Sequence, residues 1–357
     1  MNCEQIIGNG ALREATSRLL RGEDLTETDA AEFLEALLEP DTSDAQIATA
    51  LTAMSAKGET AEELAGMAAA MRARAVPLPT HHARFIDTAG TGSSAAKTFN
   101  VSTAAAFVIA GAGLPVAKHG SRAVTSRVGS ADVLEALGVN TAASLEQTQR
   151  CLNEHGICFM FAPLFNGATA RVARVRRQLG VRTVFNLVGP LANPADAPFQ
   201  LLGVWHPALL ERVAAALARV GVEKAWVVHG NDGLDEITLA GETMVTACSK
   251  KSDGRFTSES FSISPGDFGL EPQPIDHLRG GGPQENARIT RAIIDGDKSV
   301  DVTAARDLVI INAAAALHIA EMAPDLLTAT VLAQQSIASG QAAAKLDALI
   351  RETNRKL

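Results

Sequence analysis

Arg84-Phe-Ile-Asp-Thr-Ala-Gly-Thr-Gly-Ser-Ser94 runs a short β-leaning segment straight into a glycine loop, and Lys97-Thr-Phe-Asn-Val-Ser-Thr103 then opens a long apolar stretch with helical spacing. Strand, glycine turn and helix start, in that order, make the first unit of a parallel α/β sheet. Glycines let the backbone N–H groups turn toward a ligand, and the helix start adds donors and a positive dipole end. Asn100, Ser102 and Thr103 place an amide and two hydroxyls where an oxyanion or a metal could sit; Ser102 or Thr103 could equally be a plain N-cap. The loop is neither G-x-G-x-x-G nor a Walker loop, so alone it does not specify a ligand.

Downstream the alternation continues, with β-leaning segments at 114–117, 157–161, 201–204 and 225–229 separated by helical patterns. Several end in glycine-rich turns, at the carboxyl edge where open α/β sheets bind ligands. From about Val302, Ala-rich helices over 307–320 and 324–339 should cover the sheet. Upstream, residues 1 to about 75 read as short helices. Thr26 or Thr28 caps a stripe of Phe33, Leu34, Leu37 and Leu38; Asp44 caps one of Ile47, Leu51 and Met54 that ends at Gly58. Thr60 with Glu63 is a capping box ahead of Leu64, Met67 and Met71. Val76-Pro-Leu-Pro-Thr80 is a stiff linker. The fold class is therefore α/β: a small all-helical N-terminal domain plus a large α/β domain with a mainly parallel central sheet.

The chain's 357 residues are 46% hydrophobic and 20% charged, enough for one large and one smaller domain. A net charge of −8 without a basic stripe argues against nucleic acid and leaves small anionic ligands. Cys3, Cys151, Cys158 and Cys248 form no CxxC pair or metal spacing, which reads as reduced thiols. The longest mainly apolar run, 104–117, contains two glycines and a proline and is shorter than the ~18–20 residues of a membrane span. No basic-then-apolar signal opens the chain, so a cytoplasmic protein is expected.

Three further stretches carry chemistry. Lys118-His-Gly-Ser-Arg122 through Thr125-Ser-Arg127 to Ser130-Ala-Asp132 combines cations, hydroxyls and glycines after a strand, which suits a phosphate group or a solvated polar loop. His229-Gly-Asn-Asp-Gly-Leu-Asp-Glu236 offers consecutive carboxylates, either hard ligands for Mg²⁺ or an exposed acidic turn. In Val175-Arg-Arg-Gln-Leu-Gly180, Arg176 at a helix end could reach a carboxylate bidentately. Gly189-Pro190 and Asn193-Pro194 read as structural turns.

The combination and order of these segments resemble the anthranilate phosphoribosyltransferase family over nearly the whole chain. Thr98-Phe-Asn-Val-Ser-Thr103, Lys118-His-Gly120, Gly129-Ser-Ala-Asp-Val-Leu-Glu-Ala-Leu-Gly138, Gly180-Val-Arg-Thr-Val-Phe-Asn186, Gly189-Pro-Leu191 and 229–236 match its signatures nearly word for word. The resemblance implies a helical domain of 1–78 plus about 165–195, an α/β domain of 79–164 plus 196–357, and a homodimer. It implies transfer of a phosphoribosyl group from phosphoribosyl pyrophosphate to anthranilate, in tryptophan biosynthesis, without a nucleophilic side chain. The donor would meet Gly90, Thr91, Gly92, Thr98, Asn100, Ser102, Thr103, Lys118 and Ser130. The acceptor would meet Gly90, His119, Ser121, Asn166 and Arg176. Ser102, Asp235 and Glu236 would hold two Mg²⁺ ions.

The chain departs from the pattern in three places. Gly90-Thr-Gly92 continues as Ser93-Ser94-Ala95 where the family has Gly-Asp-Gly. Ser121 replaces an asparagine, and Asn166-Gly-Ala-Thr169 replaces His-Pro-Ala-Met. Two outcomes follow: anthranilate bound through Arg176 and His119, or a different aromatic acceptor of the same donor. A nucleic-acid-binding relative without activity is disfavoured by the charge and by the intact Asp235-Glu236 pair. A nucleoside phosphorylase of the same fold is disfavoured by the 229–236 turn.

Overall fold

The computed structural model describes residues 9–92, 96, 98–123, 128–297 and 299–356, with main chain only at His277. The chain begins with four helices, α1 (Gly10–Leu20), α2 (Glu27–Leu38), α3 (Asp44–Lys57) and α4 (Ala61–Arg74). Thr26 caps α2 in a reciprocal box with Asp29, and Thr60 caps α4 with Glu63. The cap of α3 is Ser43, not Asp44: the Ser43 hydroxyl accepts from the Gln46 N–H, which leaves Asp44 in the first turn, where its charge favours the positive helix end. Gly58 ends α3 at φ 87°.

Five parallel strands follow: β1 (Ile86–Gly90), β2 (Val116–Gly120), β3 (Ile157–Phe161), β4 (Phe199–Gly203) and β5 (Lys224–Gly230). Two strands that the sequence reading lacked, β6 (Thr243–Lys250) and β7 (Phe256–Ile263), extend the sheet antiparallel. Among the described residues the order is β3-β2-β1-β4-β5-β6-β7. The remaining helices before β4 are α5 (Val101–Gly111), α6 (Ser130–Ala136), α7 (Leu145–His155), α8 (Ala162–Phe165), α9 (Ala170–Leu179) and α10 (Phe185–Leu191). After it come α11 (Leu210–Arg219), α12 (Pro283–Ile294), α13 (Thr303–Ile319), α14 (Leu326–Ala338) and α15 (Gln341–Thr353).

The period of two along a strand divides the core. Leu201, Trp226 and Val228 face a cluster with α5 and α13, whereas Leu202, Ala225 and Val227 face one with α2, α3, α4 and α11. Each such Leu or Val taken out of water contributes about 1.5–3 kcal/mol. α13 packs on β4 and β5 and covers the sheet directly, whereas α14 lies behind it, packed on α5, α13 and α15. The proline linker is pinned across the fold: the Val76 N–H donates to the Phe165 carbonyl at 2.9 Å and the Leu78 N–H to that of Pro194 at 3.0 Å. Between those anchors α9 packs on α3, and α10 on α4. Gly189-Pro190 is not a free turn but the last turn of α10, where the Pro190 carbonyl accepts from Gln200 Nε2 at 2.8 Å.

Candidate functional site

The carboxyl ends of β1 and β2, the start of α5, the turn after β5 and the inner faces of α9 and α10 enclose a cavity of about 370 Å³. Every residue that the resemblance assigns to the donor, the acceptor or the metal lines it.

At one end the glycine loop, helix start and acidic pair are laced together. The Gly92 N–H donates to Asp235 Oδ2 at 2.7 Å, and the Ser102 N–H to Glu236 Oε1 at 3.2 Å. Asp235 and Glu236 are each only 8% exposed, which removes the reading of a solvated acidic turn. Burial, with the neighbouring Asp235 charge, pushes the Glu236 carboxyl up to about 8. Lys118, 5% exposed on β2, donates to the Thr88 carbonyl and to Ser102 Oγ at 3.3 Å. Burial lowers its ammonium, while Asp87 and Glu236 oppose that shift. Two adjacent buried carboxylates are unfavourable as bare anions, and a divalent cation beside the Ser102 hydroxyl would relieve them; the donor set fits Mg²⁺. Glycine permits this closeness. A Cβ on Gly90 would lie 2.9 Å from Asp235 Oδ2, and one on Gly203 only 1.7 Å from the Asp235 main-chain oxygen.

Neither Ser102 nor Thr103 is the cap of α5. Asn100 occupies that position, and its side chain makes no cap bond. Thr98 Oγ1 donates to the Phe99 carbonyl, and Ser130 opens α6 behind Gly129, its hydroxyl 3.5 Å from the Ser121 carbonyl. Arg122 pairs with Asp132 at 3.1 Å and Glu135 at 2.6 Å, so this cation of the second loop is already engaged. Ser93, Ser94, Ala95, Lys97, Thr125, Ser126 and Arg127 lie outside the described residues.

The other end of the cavity holds buried polar atoms without partners among the described residues: His119 Nε2, Asn166 Nδ2 and Arg176 Nε. Each unmet group costs about 1–3 kcal/mol, so together they call for a polar ligand. Arg176 Nη2 donates to Asn186 Oδ1 at 3.1 Å, and its guanidinium lies 5.6 Å from the Phe185 ring centroid. Burial lowers it to about 10, well above neutrality, so it stays cationic. Burial also drops His119 to about 4, against a main-chain hydrogen bond to Gly189, which leaves a neutral imidazole at pH 7. Ser121 Oγ donates to the Arg122 carbonyl at 3.0 Å. A planar carboxylate on an aromatic ring would meet Arg176 at this end, with His119 and Asn166 beside it.

The sequence reading assigned no role to Asp87 and took Asn193 for a turn. Asn193 Nδ2 in fact donates to Asp87 Oδ2 at 2.8 Å and to the Ala117 carbonyl at 2.9 Å, while Asp87 Oδ1 accepts from the His119 N–H at 3.3 Å. Burial holds Asp87 above the usual carboxylate range, opposed by the Lys118 charge. The pair braces β1 and β2 directly beneath Lys118 and His119. A carboxylate inside an otherwise apolar strand was the available signal.

Residues 82–343 match the α/β domain of a glycosyl transferase family, and residues 13–75 match the helical bundle domain of the same family. The anthranilate phosphoribosyltransferase of Moorella thermoacetica is 48% identical over 339 residues, 95% of this chain and 97% of the relative. Among solved structures, that of the Thermus thermophilus anthranilate phosphoribosyltransferase aligns with a TM-score of 0.86 at 40% identity, covering 96% of this chain and 99% of that one. The Saccharomyces cerevisiae enzyme in complex with phosphoribosyl pyrophosphate and Mg aligns at 0.86 and 28% identity, covering 97% and 98%. Its complex with 4-fluoroanthranilate aligns at 0.83 and 27%, covering 96% and 97%.

Proposed function

The chain belongs to the anthranilate phosphoribosyltransferase family, and from that premise we propose that it joins the 5-phosphoribosyl group of phosphoribosyl pyrophosphate to the amine of anthranilate, releasing pyrophosphate, in tryptophan biosynthesis. One observation carries the residue assignments. A single cavity joins the buried acidic pair and the α5 start at one end to unpartnered polar groups around Arg176 at the other.

In this reading the phosphates of the donor lie at the α5 end, against Gly90, Thr91, Gly92, Thr98, Asn100, Ser102 and Thr103, with Lys118 and Ser130. Ser102, Asp235 and Glu236 would hold Mg²⁺, two ions in our reading, which would supply positive charge toward the departing pyrophosphate. Arg176 binds the acceptor carboxylate, with Gly90, His119, Ser121 and Asn166 around the ring. The C1–O bond to pyrophosphate breaks as the amine nitrogen closes on C1, and one amine proton passes to solvent. Lys118 and the cavity hydroxyls stabilise the leaving charge, and Arg176 orients the amine. No side chain forms a covalent bond to the sugar. A homodimer in the cytoplasm accompanies this reading.

A second reading, a different aromatic acceptor of the same donor, draws on Asn166, whose Nδ2 is buried without a partner among the described residues at the acceptor end. Pyrophosphate release measured with Mg²⁺ and a panel of aromatic amines separates the two. Turnover with anthranilate is expected. Silence with anthranilate and a response to another amine would overturn the first reading and keep the second.

A further inference from the structure

Asn100 lines the cavity, yet what fixes its side chain comes from 186 positions away along the chain. The Gly281 N–H donates to Asn286 Oδ1 at 2.8 Å, and Asn286 Nδ2 donates to Asn100 Oδ1 at 2.9 Å. Asn100 Nδ2 then faces the Val128 carbonyl at 3.4 Å. The polarity of this chain follows from donor and acceptor chemistry alone. A main-chain N–H can only donate, so the Asn286 atom beside Gly281 must be its oxygen, and the other must be NH₂. An NH₂ group can only donate, so the Asn100 atom facing it must be its oxygen. The remaining Asn100 terminus is therefore NH₂, consistent with the carbonyl of Val128 beside it.

We propose that Asn286 is a positioning residue, which holds Asn100 with its NH₂ group toward the cavity, as a donor to a phosphate oxygen of phosphoribosyl pyrophosphate. The inference rests on the reading that the donor phosphates lie at the α5 end of the cavity. Three features support it. Asn286 is only 3% exposed, so water does not compete for its amide. The Asn100 side chain makes no cap bond to α5 although it occupies the cap position, and its oxygen accepts from Asn286 instead. The helix that carries Asn286, α12, packs on α6, which begins at the cavity residue Ser130. A flipped Asn100 would turn its oxygen toward an anion, and oxygen against phosphate is repulsive.

The test uses the full chain with Mg²⁺, phosphoribosyl pyrophosphate and anthranilate, comparing Asn286→Ala, Asn286→Asp, Asn100→Ala and the double variant Asn100→Ala/Asn286→Ala. Asn286→Ala is expected to raise KM for phosphoribosyl pyrophosphate about fivefold, a typical loss for one hydrogen bond, with KM for anthranilate and kcat within about twofold. Asn286→Asp should raise it further, since a carboxylate accepts from both neighbours and forces Asn100 to flip. In the Asn100→Ala background, Asn286→Ala should add less than about twofold, because the two act through one interaction. An unchanged KM in Asn286→Ala, or a full effect that persists without Asn100, overturns the proposal. Failure of Asn100→Ala itself to raise the donor KM would instead overturn the placement of the donor and the proposal with it. If Asn286→Asp does not fold, the alanine cycle decides alone.

Discussion

Gly203→Ala is the most demanding perturbation of the site, because the added methyl touches no ligand-facing atom. Its Cβ would lie 1.7 Å from the Asp235 main-chain oxygen, 2.3 Å from the Asp235 carbonyl carbon and 3.0 Å from the Glu236 nitrogen. Ordinary contact requires the carbonyl to retreat by roughly 1.5 Å. β4 will not yield, since it is hydrogen-bonded to β1 on one side and β5 on the other. The turn bearing Asp235 and Glu236 must move instead. Overpacking of this kind destabilises by about 1–3 kcal/mol. Metal geometry tolerates only a few tenths of an ångström, so a shift of this size should raise the half-saturating Mg²⁺ concentration about tenfold and lower kcat on the order of 10²-fold. Gly90→Ala provides the graded control. There the nearest atom is the Asp235 Oδ2 tip at 2.9 Å, so the carboxylate needs to give by only a few tenths of an ångström, and the effects should be severalfold. The assay is the initial rate of pyrophosphate release against Mg²⁺ concentration, with circular-dichroism melting to confirm folding. A folded Gly203→Ala protein with wild-type Mg²⁺ half-saturation would refute the argument that β4 sets the position of the acidic pair.

The Asp235→Asn/Glu236→Gln protein should melt at or above the wild-type temperature without metal, because neutral amides replace a buried carboxyl pair, and should lose Mg²⁺-dependent turnover; retained turnover counts against the metal assignment. Arg176→Ala should raise KM for anthranilate by about 10²-fold while KM for phosphoribosyl pyrophosphate changes little, and equal effects on both substrates would remove the carboxylate clamp. His119 gives a pH prediction: its imidazole is held near 4 in the fold against an ordinary 6.5, so the unfolded chain takes up a proton first as the solution acidifies. Its contribution is fully present above pH 6.5 and falls by up to ~3 kcal/mol on the way down to pH 4, so urea titrations at pH 7 and 5 should show a slope that His119→Asn flattens.

Much of the fold was legible because its parallel strands are buried on both faces. Segment 157–161 was located to the residue, as Ile157–Phe161, and 225–229 lies inside Lys224–Gly230. β7 escaped notice for the opposite reason. Phe-Thr-Ser-Glu-Ser-Phe-Ser-Ile forms an edge strand with four consecutive exposed residues, so little apolar alternation is needed to place it. The cavity residues were found in runs, since Gly90 to Thr103 and Lys118 to Ser121 are each one short stretch at the end of a strand. The supports were not. Asn193 braces Asp87 and Asn286 fixes Asn100 across gaps of 106 and 186 positions, and hydrogen bonds of that reach leave no local pattern.

The two anchors of the proline linker also bear on the order in which the molecule can assemble. The apolar faces of Phe33, Leu51 and Met67 are closed over by Val172, Leu187, Val213 and Val227, all of which lie more than a hundred positions downstream. On the ribosome, where chains grow at roughly 5–20 residues per second, the first four helices emerge several seconds before these partners do. During that interval α2 packs on α4 and α1 on α3, but the part of their apolar surface that α9, α10 and α11 later cover stays exposed. That remaining face is expected to engage a chaperone during synthesis until the downstream helices arrive.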